Sequence, residues 1–254
     1  MGFCVPPLLF LFAAGVLGGG MNALAGGGSF VTLPAMIAVG VPAVQANASS
    51  TVALWPGGAA SVLTYRPTDG RVCGVPIAWM AAISLVGGLL GAVLLLTTPS
   101  SAFEAALPWL LLAATLALAF GRRIAEAAHG RLRDSRAAVV AAQFGLGVYG
   151  GYFGGAVGLM MIAVWSLFGE SDIKALNGPR TLMVSAANTI AAIAFALAGA
   201  VRWPETLALL LGGLVGGVAG ARLGRVMPTR LTRLMTIGWT TAVTAVFLVR
   251  AYVR

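Results

Sequence analysis

Polar side chains within otherwise apolar stretches are the groups of this chain that could bind a polar ligand. They are Asn22, Asn47, Ser49, Ser50, Thr51, Asn177, Arg180, Thr181 and Asn188. Such residues are costly in an apolar environment, so they tend to face the interior of a helical bundle. Amide and hydroxyl groups in that position can line a binding site, or they can hydrogen-bond neighbouring helices. The sequence leaves both roles open.

Arg180 is the most informative of these residues because it carries a charge. It lies three residues after Asn177 and eight before Asn188, and helical spacing places the three on one broad face. Its guanidinium could supply the positive charge that a buried anion needs. Alternatively, Arg180 lies in the first turns of its helix and extends to the membrane interface. Arg222, in another apolar stretch, is predicted to extend in that way.

Two glycine clusters could offer backbone N–H groups to the same ligand. Residues 7–39 and 137–168 would each form about 50 Å of straight helix at ~1.5 Å per residue. Glycine costs about 1 kcal/mol in a helix interior, so the clusters at 26–28 and 150–155 predict helix breaks. A break exposes N–H groups and a partial positive charge at the start of the next helix, where Ser29 adds a hydroxyl or caps the helix. The alternative is that the glycines only permit close packing.

The composition shows which elements must position these residues. Hydrophobic residues make up 59% of the 254 and charged residues 9%, whereas a soluble domain is about 25% charged. Eight apolar stretches follow one another, at residues 7–39, 45–65, 74–97, 104–121, 137–168, 175–200, 204–224 and 231–250. The chain is therefore predicted to be an all-α, multi-pass protein of the cell inner membrane, with up to ten helical segments and the lipid bilayer as a partner.

Internal similarity divides the chain into two repeats. Residues 85–94 match residues 214–223, 129 positions later, and other landmarks recur at nearly the same offset. We predict a first transmembrane repeat at 1–120, a basic linker loop at 121–136 and a second repeat at 137–254.

Two topologies fit these repeats. If each overlong segment crosses the membrane once, there are eight spans and the repeats are parallel. If each bends back on itself, each repeat has five crossings or partial crossings and the repeats are inverted. Basic residues follow the second main span of the first repeat (Arg66, Arg71) but the third of the second (Arg225, Arg230, Arg233). This exchange favours inversion because positive loops collect on one side of a membrane.

The same inventory argues against several other functions. Two cysteines and one histidine cannot be expected to build a disulfide framework or a metal site. No acidic residue stands in the middle of a span, so no proton relay or paired-carboxylate enzyme is predicted, and no cofactor. The net charge of +9 lies mostly in short connections between apolar stretches, as in membrane loops, so no nucleic-acid partner is predicted.

Three motifs follow one another in the first half: a glycine-rich helix end at 26–29, Val-x-x-Pro at 31–34 and Gly-x-Pro at 40–42. This order resembles the first repeat of the TauE/SafE family of sulfite exporters and related permeases. The second half is similar but altered. Ala156 and Val157 replace two expected glycines, and no proline follows Gly169. The glycines that keep the spacing are Gly147, Gly151, Gly154, Gly155 and Gly158.

The resemblance implies export, or in some members uptake, of sulfite, sulfonates or related small oxyanions. We therefore predict a secondary transporter, an exporter of a small anion, with its site between the repeats near mid-membrane. The predicted substrate-binding residues are Asn22, Gly26, Gly27, Gly28, Ser29, Asn47, Ser50, Thr51, Gly158, Asn177, Arg180, Thr181 and Asn188. The alternative is a channel or a permease for another small solute, whose glycines serve packing only. The oligomeric state is left open, with a homodimer as one option.

Overall fold

A computed structural model of the chain describes residues 6–64, 70–127, 135–170, 175–224 and 226–252. Within these ranges ten α-helices and one two-stranded hairpin form, and the predicted all-α fold is confirmed. The helices are α1 (Pro7–Ala25), α2 (Ser29–Ala38), α3 (Ala43–Thr64), α4 (Ile77–Thr97), α5 (Ser100–Ala127), α6 (Arg136–Tyr152), α7 (Val157–Leu167), α8 (Asn177–Leu197), α9 (Trp203–Leu223) and α10 (Thr229–Tyr252). The strands β1 (Arg71–Val72) and β2 (Val75–Pro76) pair antiparallel between α3 and α4.

Six of the described helices are long and apolar enough to cross a membrane. The spans are Pro7–Leu24, Ile77–Thr97, Ser100–Gly121, Asn177–Leu197, Trp203–Leu223 and Leu234–Tyr252. Their outer faces carry large apolar side chains, among them Trp79 and Leu197, which are 67% and 85% exposed. Such faces require lipid as their solvent. The prediction of a multi-pass membrane protein is confirmed.

Both overlong segments are broken, as predicted. The first helix ends at Ala25, and Gly26 adopts a left-handed conformation with φ 74° before α2 begins at Ser29. The second ends at Tyr152, and Gly154 has φ 77° before α7 begins at Val157. Glycine reaches this backbone region without the steric cost that other residues meet.

At each break the chain folds back on itself. A methyl group in place of a hydrogen on Gly18 would lie 2.6 Å from Thr32 Cγ2, and one on Gly28 would lie 2.9 Å from Asn22 Cβ, so α2 runs back along α1. In the second half, Trp165 Nε1 donates to Gln143 Oε1 at 3.0 Å, so α7 runs back along α6. Of the two topologies, the structure has the one in which the overlong segments bend back.

The two short helices end with the same motif. Gly40 follows α2 with φ 91° and donates to the Ile37 carbonyl, while Val41 donates to the Met36 carbonyl. Gly169 follows α7 with φ 100°, and it and Glu170 make the corresponding pair of bonds. This is the Schellman pattern, in which a left-handed glycine satisfies the last carbonyl groups of a helix. The missing proline after Gly169 therefore does not prevent the same helix end.

Most glycines outside the breaks serve helix packing. Added methyl groups would lie 2.1 Å from a carbonyl oxygen at Gly19, where α1 meets α9, and 2.0 Å at Gly151, where α6 meets α4. These close contacts join the first helix of each half to the fourth helix of the other. At these seams the glycines permit close helix packing, which was the alternative to a binding role. The glycines with positive φ instead mark chain reversals.

The last helices of the two halves, α5 and α10, run antiparallel. Thr115 Oγ1 and Thr244 Oγ1 lie 3.0 Å apart, and Trp109 Nε1 donates to the Tyr252 hydroxyl at 2.9 Å. Eight single crossings would make these two helices parallel, so the contact fits inverted halves. The repeat itself stays a prediction. The predicted linker 121–136 is partly helical, because α5 continues to Ala127, and residues 128–134 lie outside the described ranges.

Candidate functional site

Three buried polar side chains of α3 connect it to three different elements. The Asn47 amide donates through Nδ2 to the carbonyl oxygen of Tyr152, the last residue of α6, at 2.9 Å. The Ser49 hydroxyl accepts the backbone N–H of Arg202, before α9, at 2.9 Å. Ser50 Oγ pairs with Thr32 Oγ1 of α2. For these residues the structure shows hydrogen bonding between elements, which joins α3 to α2, to the end of α6 and to the start of α9.

The first break lies against α1 and α3. A methyl group on Gly28 would lie 2.7 Å from the Gly18 carbonyl oxygen and 3.1 Å from Leu54 Cδ1, so this glycine is required for the close approach. Among the described residues, the N–H groups of Gly27 and Gly28 have no backbone acceptor. The residue that caps α2 is Gly28, with no side-chain cap bond. Ser29 therefore follows the cap, as a half-buried residue at the start of the helix.

Two other predicted residues lie around the first break. Asn22 is half-buried in the last turns of α1, and its carbonyl accepts the Gly26 N–H at 3.0 Å. Gly26 is exposed, and no atom lies within 4 Å of the position that a methyl group there would take. Thr51 is half-buried one residue after Ser50. The first break is thus open on the side of Gly26 and packed on the side of Gly28.

The second break is buried. Phe153 and Ala156 are 1% and 3% exposed, and the Tyr149 hydroxyl donates to the Gly155 carbonyl at 3.1 Å. The N–H groups of Gly155 and Ala156 have no backbone acceptor within the described part of the chain. Buried backbone donors without acceptors are rare in native structures. The break therefore presents donors that a ligand or an ordered water can satisfy.

Arg180 lies beside the start of α7. A methyl group on Gly158 would lie 3.2 Å from Arg180 Cδ, so glycine at this position makes room for the arginine side chain. The two predicted neighbours lie in the same first turns of α8, where the Thr181 hydroxyl donates to the Asn177 carbonyl at 2.8 Å. The structure therefore brings Gly158, Asn177, Arg180 and Thr181 together at the N-terminal ends of α7 and α8.

Asn188 lies further along α8, at the second break. Its Oδ1 atom is buried without a hydrogen-bond partner in the described part of the chain, and it would lie 3.7 Å from a methyl group on Gly154. The adjacent residue, Thr189, accepts a hydrogen bond from Trp55 Nε1 of α3 at 2.8 Å. Leu54, the neighbour of Trp55, contacts the first break. Both breaks therefore lie near the place where α3 and α8 contact each other.

Sequence reasoning missed a buried polar network in the second half. Gln143 is fully buried, accepts from Trp165 Nε1 and donates through Nε2 to Ser84 Oγ at 2.8 Å. It joins α6, α7 and α4, and these two hydrogen bonds engage both the oxygen and the nitrogen of its amide. The sequence could have indicated Gln143, because it is an uncharged amide within an apolar stretch, like the asparagines that were predicted.

A threonine row on α10 was missed as well. Its members are buried and recur every four residues, at Thr232, Thr236, Thr240 and Thr244. The methyl group of Thr236 lies 3.4 Å from the position of an added methyl on Gly27, so this row borders the first break. The four-residue spacing was visible in the sequence.

The C-terminal end of α7 contacts the β1–β2 hairpin through hydrogen bonds. The backbone N–H of Cys73, a residue with φ 48°, donates to Glu170 Oε1 at 2.6 Å, and its Sγ lies 3.6 Å from the Trp165 carbonyl oxygen. Burial, followed by the nearby Glu170 carboxylate, raises the pKa of the Cys73 thiol to about 12. The contact fixes the end of α7 that lies opposite the break.

Comparison with known proteins extends these observations. Residues 11–247 match the family model described as Sulfite exporter TauE/SafE. A probable membrane transporter protein, ORF9, of Sinorhizobium sp is 30% identical over 217 residues, which cover 85% of this chain and 82% of that protein. A probable membrane transporter protein of Haemophilus influenzae is 28% identical over 91% of this chain and 90% of its own length. YfcA of Escherichia coli strain K12, also a probable membrane transporter protein, is 28% identical over 92% and 88%. No solved structure matches the chain.

Proposed function

Because this chain belongs to the sulfite exporter TauE/SafE family and is a multi-pass membrane transporter, we propose that it moves a small oxyanion such as sulfite or an organosulfonate. The proposed direction is export across the cell inner membrane. The substrate is proposed to bind between the two helix breaks, where α3 and α8 contact each other.

The observation that carries this proposal is the pair of breaks itself. An anion in a low-dielectric interior needs hydrogen-bond donors and positive potential. Each break offers backbone N–H groups without acceptors in the described chain, at Gly27 and Gly28 and at Gly155 and Ala156. Each also marks the N-terminal end of a short helix, where the helix dipole favours negative charge. Broken helices at mid-membrane are a recurrent way to build such sites.

The predicted site residues divide into two proposed roles. The residues proposed to face the anion are Asn22, Gly26, Gly27, Gly28, Ser29, Thr51, Gly158, Asn177, Arg180, Thr181 and Asn188. Asn47 and Ser50 are proposed instead to hold the site in shape, because their side chains already bond Tyr152 and Thr32. Arg180 would supply the positive charge from beside α7.

Alternating access is proposed to arise from movement of one half against the other. Gly19 packs on Gly213 and Gly151 packs on Gly88, so the seams α1–α9 and α4–α6 repeat the same contact. Together with the antiparallel α5–α10 pair, these contacts support inverted repeats. In such transporters one repeat rocks against the other around a fixed site.

Binding to purified protein tests the proposal directly. A ligand that binds only the folded state raises the melting temperature. We expect stabilisation by sulfite or by a small sulfonate, and none by an equal concentration of chloride, which controls for ionic strength. Stable protein that responds to none of sulfite, sulfate, thiosulfate, methanesulfonate or acetate would remove the proposed function.

A channel or non-selective permease is the second candidate, favoured by the packing role of the seam glycines. Proteoliposomes separate the two. Liposomes that contain a transporter and are loaded with unlabelled substrate show counterflow, a transient uptake of labelled substrate against its gradient. This uptake saturates as the substrate concentration rises. A channel shows neither.

The inverted topology has its own test. In a background lacking Cys4 and Cys73, we expect single cysteines at positions 130 and 202 to react with an impermeant maleimide from opposite sides. Arg202 suits this purpose because its side chain is 53% exposed. Labelling of both positions from the same side would contradict inversion.

A further inference from the structure

Asn188 carries a buried acceptor that the described part of the chain leaves unsatisfied. Its Oδ1 atom is shielded from solvent and has no hydrogen-bond partner among residues 6–64, 70–127, 135–170, 175–224 and 226–252. An unpaired buried polar group of this kind destabilises the folded state, and native proteins contain few of them. Such an atom in the middle of a transmembrane helix is an acceptor that a bound ligand can satisfy.

Donors without acceptors lie in the same break. The N–H groups of Gly155 and Ala156 have no backbone acceptor among the residues that the structure describes, and Asn188 Oδ1 lies beside the neighbouring Gly154. The amide oxygen and these N–H groups do not reach each other, since no hydrogen bond joins them. A molecule that satisfies both must accept hydrogen bonds with one part and donate with another.

We infer that the second break selects an oxyanion that itself carries an N–H or O–H donor. This inference rests on the proposed function and specifies its substrate class. The anionic oxygens accept from the backbone N–H groups at 155 and 156, and the ligand's own hydrogen is donated to Asn188 Oδ1. Hydrogensulfite and amino- or hydroxy-bearing sulfonates have this pattern. A fully deprotonated dianion would place a negative oxygen against the amide oxygen and is disfavoured.

Sites of this kind discriminate strongly between analogues. When a site is built to hydrogen-bond a substrate group, an analogue without that group leaves the buried partner unpaired and is rejected. Asn188 is therefore a specificity-determining residue, whereas the backbone donors and Arg180 serve any small oxyanion.

Sulfamate and methanesulfonate form a suitable probe pair. Both are monovalent anions at neutral pH with the same SO₃ group, and they differ in an amino group against a methyl group of nearly equal size. Affinities of both are measured by calorimetry on the purified full-length wild-type protein and on Asn188→Leu, a variant of similar volume that removes the acceptor. Asn188→Ala serves as a second variant in case leucine prevents folding.

We expect the wild type to bind sulfamate about tenfold more tightly than methanesulfonate, which corresponds to about 1.4 kcal/mol. In the leucine or alanine variant the preference for sulfamate should be lost, so that the affinities for the two ligands agree within about twofold. Equal affinities in the wild type, or an equal loss of both ligands in the variants, would overturn the inference. Equal loss would mean that the amide donates to the anion through Nδ2. If folded wild type binds neither probe and does not bind sulfite, the proposed function fails as well.

Discussion

Residues 26–28 and residues 153–156 both interrupt a helix and turn the chain back, yet they are built differently. The first break is open at Gly26, and close packing around Gly28 and the Thr32 hydroxyl, which donates to the Gly28 carbonyl, hold it. The second is buried, and hydrogen bonds from Asn47 and Tyr149 hold it. The second half departs more from the family motif, but hydrogen bonds hold its break as they hold the first. The breaks therefore differ in exposure rather than in the use of hydrogen bonds.

Arg180→Gln should produce the largest effect if the second break carries the charge for the anion. We expect transport to fall at least tenfold, about 1.4 kcal/mol, with expression and melting temperature nearly unchanged. Arg180→Lys should keep part of the activity, because the charge remains but the planar donor fork does not. The control is Arg222→Gln, whose arginine is exposed on α9.

Three results would change this interpretation of Arg180. Equal tolerance of Lys and Gln would mean that the side chain only reaches the interface. Loss of expression with both would mean that it holds the structure, for example by pairing with Asp172, which lies outside the described residues. Wild-type affinity in the purified Gln variant would remove Arg180 from the site.

Asn47→Leu tests whether the second break depends on hydrogen bonds. The change leaves the partly buried Tyr152 carbonyl without its side-chain donor, which should cost about 1–3 kcal/mol of folding free energy. Ser50→Ala is the comparison near the first break, because it removes the hydrogen bond between α3 and α2. Thr32 keeps its bond to the Gly28 carbonyl in that variant. We expect the larger fall in melting temperature for Asn47→Leu. A larger fall for Ser50→Ala would reverse the comparison.

Alanine at Gly154 and at Gly26 compares the two left-handed positions. Both glycines have similar positive φ, so alanine should cost about 1–2 kcal/mol at each. At 154 the added methyl group also lies 3.3 Å from the Gly150 carbonyl, whereas space at 26 is open. Thermal unfolding should therefore show the greater loss for Gly154→Ala. Equal losses would mean that backbone strain alone decides both positions.

The smallest expected effect concerns Cys73, which contacts the end of α7 that lies away from the second break. With Cys4 replaced by Ser, alkylation at pH 8 should be slow, because the thiol pKa is raised from 9.0 to about 12 and the thiolate is the reactive form. The unfolded state loses the thiol proton at a lower pH than the folded state does, so folding stability falls as the pH rises. The raised pKa contributes stability that is complete below pH 9 and is lost as the pH rises towards 12.

Glu170→Gln should speed this alkylation, because it removes the negative charge that disfavours the thiolate. The rate in urea-unfolded protein gives the upper reference. Alkylation of the folded wild type at that same rate would show that the hairpin does not bury Cys73 in solution.

Composition and the lengths of apolar runs were sufficient to predict a multi-pass helical membrane protein with two broken segments. These are local properties: a run of apolar residues must meet lipid, and glycine weakens a helix wherever it stands. The same reasoning located the breaks only to a cluster. Gly150 and Gly151 belong to α6, and the reversal occurs at Gly154.

Only the tertiary structure decided which glycines of α4 and α9 occupy equivalent packing positions. The sequence match pairs Gly87 with Gly216, but in the structure Gly87 lies against the Phe144 carbonyl just as Gly212 lies against that of Phe12. The packing equivalence is thus one helical turn away from the sequence match. Glycines that recur every three or four residues look alike when shifted by a turn, so residue identity cannot fix which one meets the partner helix.

The roles of the polar residues were likewise decided by contacts between the halves. Asn47 and Asn188 are the same residue type within similar apolar stretches. One donates to a carbonyl at the end of α6, and the buried oxygen of the other has no partner among the residues that the structure describes. Whether an amide binds its own protein or faces a gap depends on where distant backbone atoms lie. That position follows from helix packing across the whole bundle, and no local pattern in the sequence contains it.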